Sequence, residues 1–192
     1  MKELILHGEF VDLIPLSIEH AEITLKWRKS NRASLLNRGS HTLNEQIKWI
    51  STRPTNEYNF IITLKNNNIN VGMVSIIGID LNNRHCEPSR FLIGEEKSVQ
   101  GIPVAVESMK LIYDLAFDVL NLERVYGYVA ESNINMIKWQ KFLGMQEEGR
   151  WRKHLFINNS YQDAVLLGML KAEYKINALP KMNALISVGR IM

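Results

Sequence analysis

The stretch that decides the fold is Val99–Met145, VQGIPVAVESMKLIYDLAFDVLNLERVYGYVAESNINMIKWQKFLGM. Its first part, Pro103–Leu120, repeats apolar side chains at helical spacing, and proline suits a helix start because its missing amide has no partner there. Arg124–Ala130 is rich in valine and tyrosine, as strands are. Asn133–Leu143 is again helical, and Gly144 is a typical helix stop. We therefore expect helix, strand and helix in that order.

The chain before this stretch predicts one strand, two helices and a three-stranded meander. Thr42 and Glu45 have capping-box spacing at the start of the second helix, and Pro88 indicates an edge or a bulge in the third meander strand. The strands are expected at Phe10–Leu16, Tyr58–Leu64, Val71–Ile79 and about His85–Ile93, and the helices at about Ile18–Lys29 and from Thr42 to before Pro54.

The chain after Met145 predicts a β-hairpin of Gly149–Ile157 and Tyr161–Leu170. The two residues between them, Asn158-Asn159, tolerate the positive φ that tight hairpin turns need. With the last meander strand, the Pro103 helix and the following strand forming a crossover, the pattern predicts a mixed α/β (α+β) fold. We expect one domain, residues 1–174, followed by a tail, residues 175–192, that is helical or irregular from about Lys171.

Composition narrows the class of protein. The 192 residues carry a formal net charge of +3 and 46% hydrophobic residues, which is typical of a soluble globular domain. Lys and Arg are scattered, so we expect no nucleic-acid partner. The single cysteine, Cys86, excludes an internal disulfide and a Cys-based metal cluster, and we expect no metal. Without a signal-peptide pattern or a run of eighteen apolar residues, we expect no membrane association and a cytoplasmic location.

The junction at Glu96–Pro103 combines features that are typical of an anion-binding site. The first amides of a helix have no internal partner and lie at the positive end of the helix dipole. Gly101 lets the backbone approach a phosphate, and Lys97 can add a charge-assisted contact. Asn133 begins a second helix about thirty residues later. Each feature alone is more often a packing loop or a helix cap than a binding site.

Together these residues resemble the GNAT superfamily of N-acetyltransferases, and within it the branch of ribosomal-protein N-terminal and amino-sugar-nucleotide acetyltransferases. The resemblance spans about residues 10–174. The matching motifs are Gln100-Gly101, Glu107, Asn133, Lys141-Phe142-Leu143-Gly144-Met145, Glu148-Gly149-Arg150 and Tyr161-Gln162-Asp163. The resemblance implies a mostly antiparallel sheet with one splayed parallel strand pair and helices on both faces.

The resemblance also implies acetyl-CoA as the acyl donor, bound between the splayed strands. Its pyrophosphate would meet the Gln100–Val104 junction, and its pantetheine would pair near Leu92 and Ile93 and with Asn133. The implied cofactor-binding residues are Leu92, Ile93, Lys97, Gln100, Gly101, Ile102, Val104, Asn133 and Lys141. The chain departs from the family pattern at Val99, where a glycine is usual, and at Pro103, which removes one amide.

The proton transfers are less well defined by the sequence. Gln140 stands where many relatives have a tyrosine that protonates the leaving thiolate, and an amide cannot act as an acid. Glu87, on the strand that leads to the acetyl site, is the first candidate for the catalytic base. His85 and Tyr126 are further candidates, and a solvent-facing structural role for Glu87 is an equal alternative.

The resemblance implies that the two early helices cover the acceptor site, and its candidate acceptor-binding residues are Trp27, Arg28, Gln46 and Trp49. An arginine beside aromatic rings suits a nucleotide diphosphate or an acidic substrate, and the resemblance to the amino-sugar branch makes an amino-sugar nucleotide the first expectation. The alternatives are a protein N-terminus, a small polyamine-like amine, or a CoA-binding module without activity. For an active enzyme we expect a small-molecule or peptide amine as the partner, and a homodimer is compatible with the resemblance.

Overall fold

An eight-stranded sheet forms the centre of the fold, which a computed structural model describes for residues 4–36 and 39–189. The strands lie in the order β1-β2-β3-β4-β5-β6-β8-β7. All neighbours are antiparallel except β5 and β6, which are parallel. The strands are β1 (Leu6–His7), β2 (Val11–Pro15), β3 (Tyr58–Leu64), β4 (Asn70–Asp80), β5 (His85–Ile93), β6 (Arg124–Ala130), β7 (Gln146–Ile157) and β8 (Ser160–Leu170). The predicted α/β fold class with one parallel pair is confirmed.

The helices connect these strands and cover the sheet. They are α1 (Ala21–Arg28), α2 (Leu43–Ser51), α3 (Val104–Asp114), α4 (Ile134–Phe142), α5 (Lys171–Glu173) and α6 (Leu179–Val188). A π-helical turn, Leu115–Val119, continues α3, and another, Tyr174–Ala178, joins α5 to α6. Pro103 is the N-cap of α3 rather than its first helical residue, so the helix begins at Val104, one residue later than predicted.

Apolar residues on the two faces of the sheet build two separate clusters. In β3, Phe60 and Ile62 point into the larger cluster with α3, whereas Ile61 belongs to a smaller cluster with Trp27 of α1. This alternation follows from the period of two along a strand. The helices therefore cover both faces of the sheet, as the resemblance implied.

The parallel strands β5 and β6 separate soon after they meet. Their register contains only two pairs, His85 with Arg124 and Cys86 with Val125. A bulge in β5 follows, where Arg90 has a φ of 53°. The bulge expected near Pro88 is thus confirmed, but an edge position is wrong, since β5 lies between β4 and β6. Proline is tolerated there because the pairing with β6 has already ended.

The C-terminal helices pack on the same side as α3. Ala178 and Met182 are buried in the larger cluster, and the Tyr174 hydroxyl donates to Asp114 Oδ1 at 2.7 Å. Residues 175–188 therefore contribute to the core, while the domain boundary at residue 174 stays a prediction. Within the described residues, no helix combines the length and apolarity needed to cross a bilayer.

Candidate active site

A cavity opens where β5 and β6 diverge, and we call it the strand cavity. It measures about 130 Å³. Gly127 of β6 faces Glu87 across the gap, since a Cβ at position 127 would lie 3.5 Å from Glu87 Cγ, in van der Waals contact. The lining residues include Glu87–Phe91 of β5, Gly127–Ala130 of β6, and Asn133, Met136 and Gln140 of α4 and its N-cap.

A second cavity of about 450 Å³ lies beneath α1 and α2, and we call it the helix cavity. Three of the residues predicted to bind the acceptor line it: Arg28, Gln46 and Trp49. Its wall is shared with the strand cavity through Glu87, Ser89, Arg90, Tyr128 and Leu36. The two cavities therefore meet at the predicted base, an arrangement that can bring two reactants to one carboxyl group.

Glu87 is half-buried at this junction. Burial raises the pKa of its carboxyl above the usual value, although a hydrogen bond with Ser89 and the charge of Arg90 act in the opposite direction. A carboxyl with a raised pKa is a better proton acceptor than an exposed one. Of the titratable candidates named from the sequence, it is the one that lines both cavities.

Arg90, which the sequence did not single out, is held by a polar network behind the helix cavity. Its Nη1 donates to Glu57 Oε2 at 2.9 Å and to Asn59 Oδ1 at 3.0 Å. Burial alone would raise the pKa of Glu57, but hydrogen bonds with Arg90 and Asn59 and the charges of Arg90 and Arg53 bring it below its usual value. The network fixes the Arg90 side chain at the bulge.

Two cations besides Arg90 lie near the helix cavity: Arg53 over the Trp49 ring, and Arg28 in the cavity lining. The Arg53 and Arg90 guanidinium carbons lie 4.2 and 5.2 Å from the Trp49 ring centroid, within cation–π range. Burial lowers the pKa of Arg28, and the charge of Arg90 lowers it further. The charges of Arg28 and Arg90 therefore act on each other at the wall of the helix cavity.

Gln46, which lines the helix cavity, and Trp27, which does not, are held by different contacts. Gln46 is buried, and its Nε2 donates to Thr24 Oγ1 at 3.0 Å, which joins α2 to α1. Trp27 is only 1% exposed and is absent from the cavity lining. Its Nε1 donates to Glu95 Oε1 at 2.9 Å, and its ring packs against Gly94. Trp27 supports the site from the core.

The loop before α3 has only some of the features expected of a phosphate-binding loop. Gly101 has a φ of 76°, and a Cβ there would meet no atom within 4 Å, so the backbone is open on that side. The amides of Ile102 and Val104, however, donate to Val99 O and Ile102 O. The cradle role predicted for these two amides stays a prediction.

Asn133 caps α4 and lies at the strand cavity, while its predicted role in binding the cofactor stays a prediction. Its Oδ1 accepts from the Met136 amide at 3.3 Å, so it is the N-cap of α4, and its side chain also lines the strand cavity. Leu92 and Ile93 line a neighbouring groove together with Asn133. These three predicted cofactor residues are therefore brought together.

The two lysines predicted to bind the cofactor lie away from the strand cavity. Lys97 is exposed in the loop before α3. Lys141 is exposed on the outer side of α4, where its Nζ donates to Glu147 Oε2 at 3.2 Å. Their cofactor role stays a prediction.

Gln140 and Tyr113 form a buried pair at the base of the strand cavity. The Tyr113 hydroxyl donates to Gln140 Oε1 at 3.2 Å. Burial raises the pKa of Tyr113, so its hydroxyl keeps the proton. The carbonyl oxygen of Gln140 is thereby used, which leaves its NH₂ group as the donor that the amide can offer to the cavity.

Known proteins resemble this chain in sequence and fold. A family model described as an acetyltransferase (GNAT) domain matches residues 11–146. A spermidine N(1)-acetyltransferase of Vibrio cholerae is 29% identical over 118 residues, 62% of this chain and 66% of its own length, and that of Escherichia coli strain K12 is 31% identical over 54% of each chain. The chain thus spans about half to two thirds of these relatives.

One solved structure with the same fold is a GCN5-related N-acetyltransferase from Brucella melitensis, with a TM-score of 0.77 and 20% identity over 100% of this chain and 86% of that one. Its low identity supports the fold alone. Members of the matched family use acetyl-CoA as the acyl donor. Because the family model covers most of the chain, from the second strand to the start of the seventh, the chain belongs to the GNAT acetyltransferase family.

Proposed function

We propose that the protein is an N-acetyltransferase that transfers the acetyl group of acetyl-CoA directly to a primary amine held in the helix cavity, and that the acceptor molecule also carries negative charge. The observation that carries this proposal is the cationic lining of the helix cavity, with Arg28 and Arg90 on its wall. Glu87 lies where the helix cavity meets the strand cavity.

The strand cavity and the loop before α3 fit the donor. Acetyl-CoA supplies an acetyl group on an activated thioester. The open backbone at Gly101 and the N-terminal turn of α3 suit its phosphates. Asn133, Leu92 and Ile93 lie along the groove that its pantetheine arm would follow. Beyond Cys86, β5 has no pairing with β6, so its backbone is open to a bound ligand on that side.

Glu87 is the proposed proton acceptor for the amine. An alkyl amine with a pKa of about 10.4 is protonated at neutral pH, and freeing its lone pair costs about 4.6 kcal/mol at pH 7. The raised pKa of Glu87 reduces the mismatch between donor and acceptor. On the thiol side, the Gln140 amide offers a hydrogen bond rather than a proton, so the thiolate is stabilised and takes its proton from solvent.

Charge on the helix cavity favours an anionic acceptor. Among the described lining residues, Arg28 and Arg90 are permanently charged and Glu87 is the lone carboxyl. Glu57, which pairs with Arg90, is shared with Arg53. Arg53 and Arg90 therefore share one carboxylate, and a bound anion would relieve the repulsion between these two groups. An amino-sugar nucleotide, which combines an amine with two phosphates, is the first candidate.

A polyamine is the second candidate, and the names of the relatives favour it. The Vibrio cholerae relative is a spermidine N(1)-acetyltransferase. Spermidine carries several positive charges, however, and would meet guanidinium groups in the helix cavity. A protein N-terminus is a third candidate, because an α-amino group needs less deprotonation than an alkyl amine.

Thiol release from acetyl-CoA tests these candidates directly. The wild-type protein would be assayed with a nucleotide-linked amino sugar, with spermidine and with a peptide that has a free N-terminus. We expect the first to give the highest kcat/KM. Highest turnover of spermidine or of the peptide would contradict the anionic acceptor. CoA binding without turnover of any amine would support a binding module instead.

A further inference from the structure

An exposed bulge in β7 carries charges and rings that the acetyl-transfer site does not use. Trp151 pairs with Ala164 of β8 and Leu155 pairs with Gln162, so three residues of β7 stand opposite the single residue Asp163. Lys153 has a φ of 50°, and its backbone amide donates to Asp163 Oδ1 at 2.8 Å. We call Arg150–His154 the β7 bulge.

The β7 bulge is cationic and open to solvent. A surface depression there is lined by Arg150, Trp151, Arg152, Lys153, His154 and Asp163. Arg150 pairs with Glu147, with 3.2 Å between Nε and Oε1. In the described part of the chain, the side chains of Arg152 and Lys153 have no hydrogen-bond or ion-pair partner. Two cations are therefore available for an anionic ligand.

Aromatic rings connect the β7 bulge to the helix cavity. The Trp151 and His154 ring centroids are 4.7 Å apart, and both lie within 5.6 Å of the Tyr128 centroid. Tyr128 in turn lines the helix cavity. A molecule whose amine lies in that cavity can therefore extend past Tyr128 to the bulge. Trp151 is 44% exposed, which leaves part of its ring open for stacking.

Protection of the sheet edge explains part of this surface. β7 is an edge strand, and natural edge strands use bulges and cations to prevent pairing with other chains. Cations alone would meet that need. The exposed tryptophan beside them, in contact with the wall of the helix cavity, does not serve it.

We infer that the β7 bulge binds the nucleoside diphosphate portion of the acceptor, with the phosphates on Arg152 and Lys153 and the base against Trp151. Guanidinium and ammonium groups are the usual partners of phosphate oxygens, and aromatic rings are platforms on which bases stack. The inference deepens the proposed function, because it assumes an acceptor whose amine occupies the helix cavity.

Binding of UDP to the protein saturated with CoA tests the inference, since CoA then occupies the donor site. The test variant is Arg152→Gln/Lys153→Asn, in which asparagine tolerates the positive φ at position 153. The matched control, Lys48→Gln/Lys138→Gln, removes two exposed cations elsewhere. We expect the dissociation constant for UDP to rise at least about tenfold in the test variant and to stay unchanged in the control.

The contribution of the uracil base of UDP is tested with pyrophosphate, which lacks it, and with the variant Trp151→Leu. We expect UDP to bind more tightly than pyrophosphate in the wild type and to lose that advantage in Trp151→Leu. Absence of UDP binding, equal binding by the test variant and the wild type, or tighter binding of a single-stranded oligoribonucleotide would overturn the inference. Thiol release with small anionic amines is independent of the bulge, so failure of the inference and failure of the proposed function are distinguishable.

Discussion

Replacing Glu107 with alanine removes a carboxylate that ties α3 to the turn before β2. Glu107 is 3% exposed. Its Oε1 accepts from the Glu9 amide at 2.6 Å, and its Oε2 accepts from the Phe10 and Val11 amides at 2.8 and 2.9 Å. Without the carboxylate these backbone donors lose their charged partner.

The cost follows from the number and kind of these bonds. A hydrogen bond to a charged group contributes about 1.5–3 kcal/mol, and the three are not additive because water can reach part of the turn. We expect Glu107→Ala to lower the free energy of unfolding by about 3–5 kcal/mol. Glu107→Gln can retain two acceptor bonds but turns an NH₂ group toward the third amide, for a loss of about 2–3 kcal/mol.

Urea unfolding followed by circular dichroism measures both values. Glu22→Gln, an exposed carboxylate on α1, is the control and should change the free energy by less than about 0.5 kcal/mol. A loss below about 1 kcal/mol in Glu107→Ala, with an unchanged denaturant slope, would refute the reasoning.

Three other changes test the site. In Glu87→Gln, kcat/KM should lose the limb that rises with pH through the Glu87 pKa, as a pH–rate profile would show. Because the pKa of Glu87 is raised in the folded state, ionising this carboxyl lowers the free energy of unfolding as the pH rises through that pKa. Urea unfolding should therefore find Glu87→Gln more stable than the wild type at pH 7.5 but not at pH 4. Gly101→Ala should lose about 1–2 kcal/mol from strain at positive φ, with a raised KM for acetyl-CoA and no clash. Asn133→Asp keeps the cap acceptor but loses the amide donor, so KM for acetyl-CoA should rise while the melting temperature holds, and a parallel fall in both would instead assign Asn133 to capping alone.

Local chemistry made much of the fold predictable. Thr42 and Glu45 form the predicted capping box, with Glu45 N donating to Thr42 Oγ1 at 3.2 Å. Asn158 and Asn159 both have the positive φ expected of the hairpin turn. In each case the decisive contacts lie within a few residues, so the sequence contains the whole signal.

The candidate site was predictable only in part, because its contacts are distant along the chain. Arg90 is held by Glu57, 33 residues away, and no local pattern marks that pair. Trp27 and Arg28 are neighbours in sequence but point about 100° apart on a helix, so one is buried and the other lines the cavity. The β7 bulge likewise depends on register with β8, which hydrophobic alternation did not reveal.

The most direct test of the central claim compares amines that differ by one phosphate. Thiol release would be measured with glucosamine 6-phosphate and glucosamine, on the wild type, on Arg28→Gln and on the control Lys48→Gln. The cationic helix cavity predicts a kcat/KM at least about tenfold higher for the phosphorylated amine, lost in Arg28→Gln and kept in the control. Equal kcat/KM for the two amines in the wild type, or a spermidine kcat/KM above both, would contradict the proposed anionic acceptor.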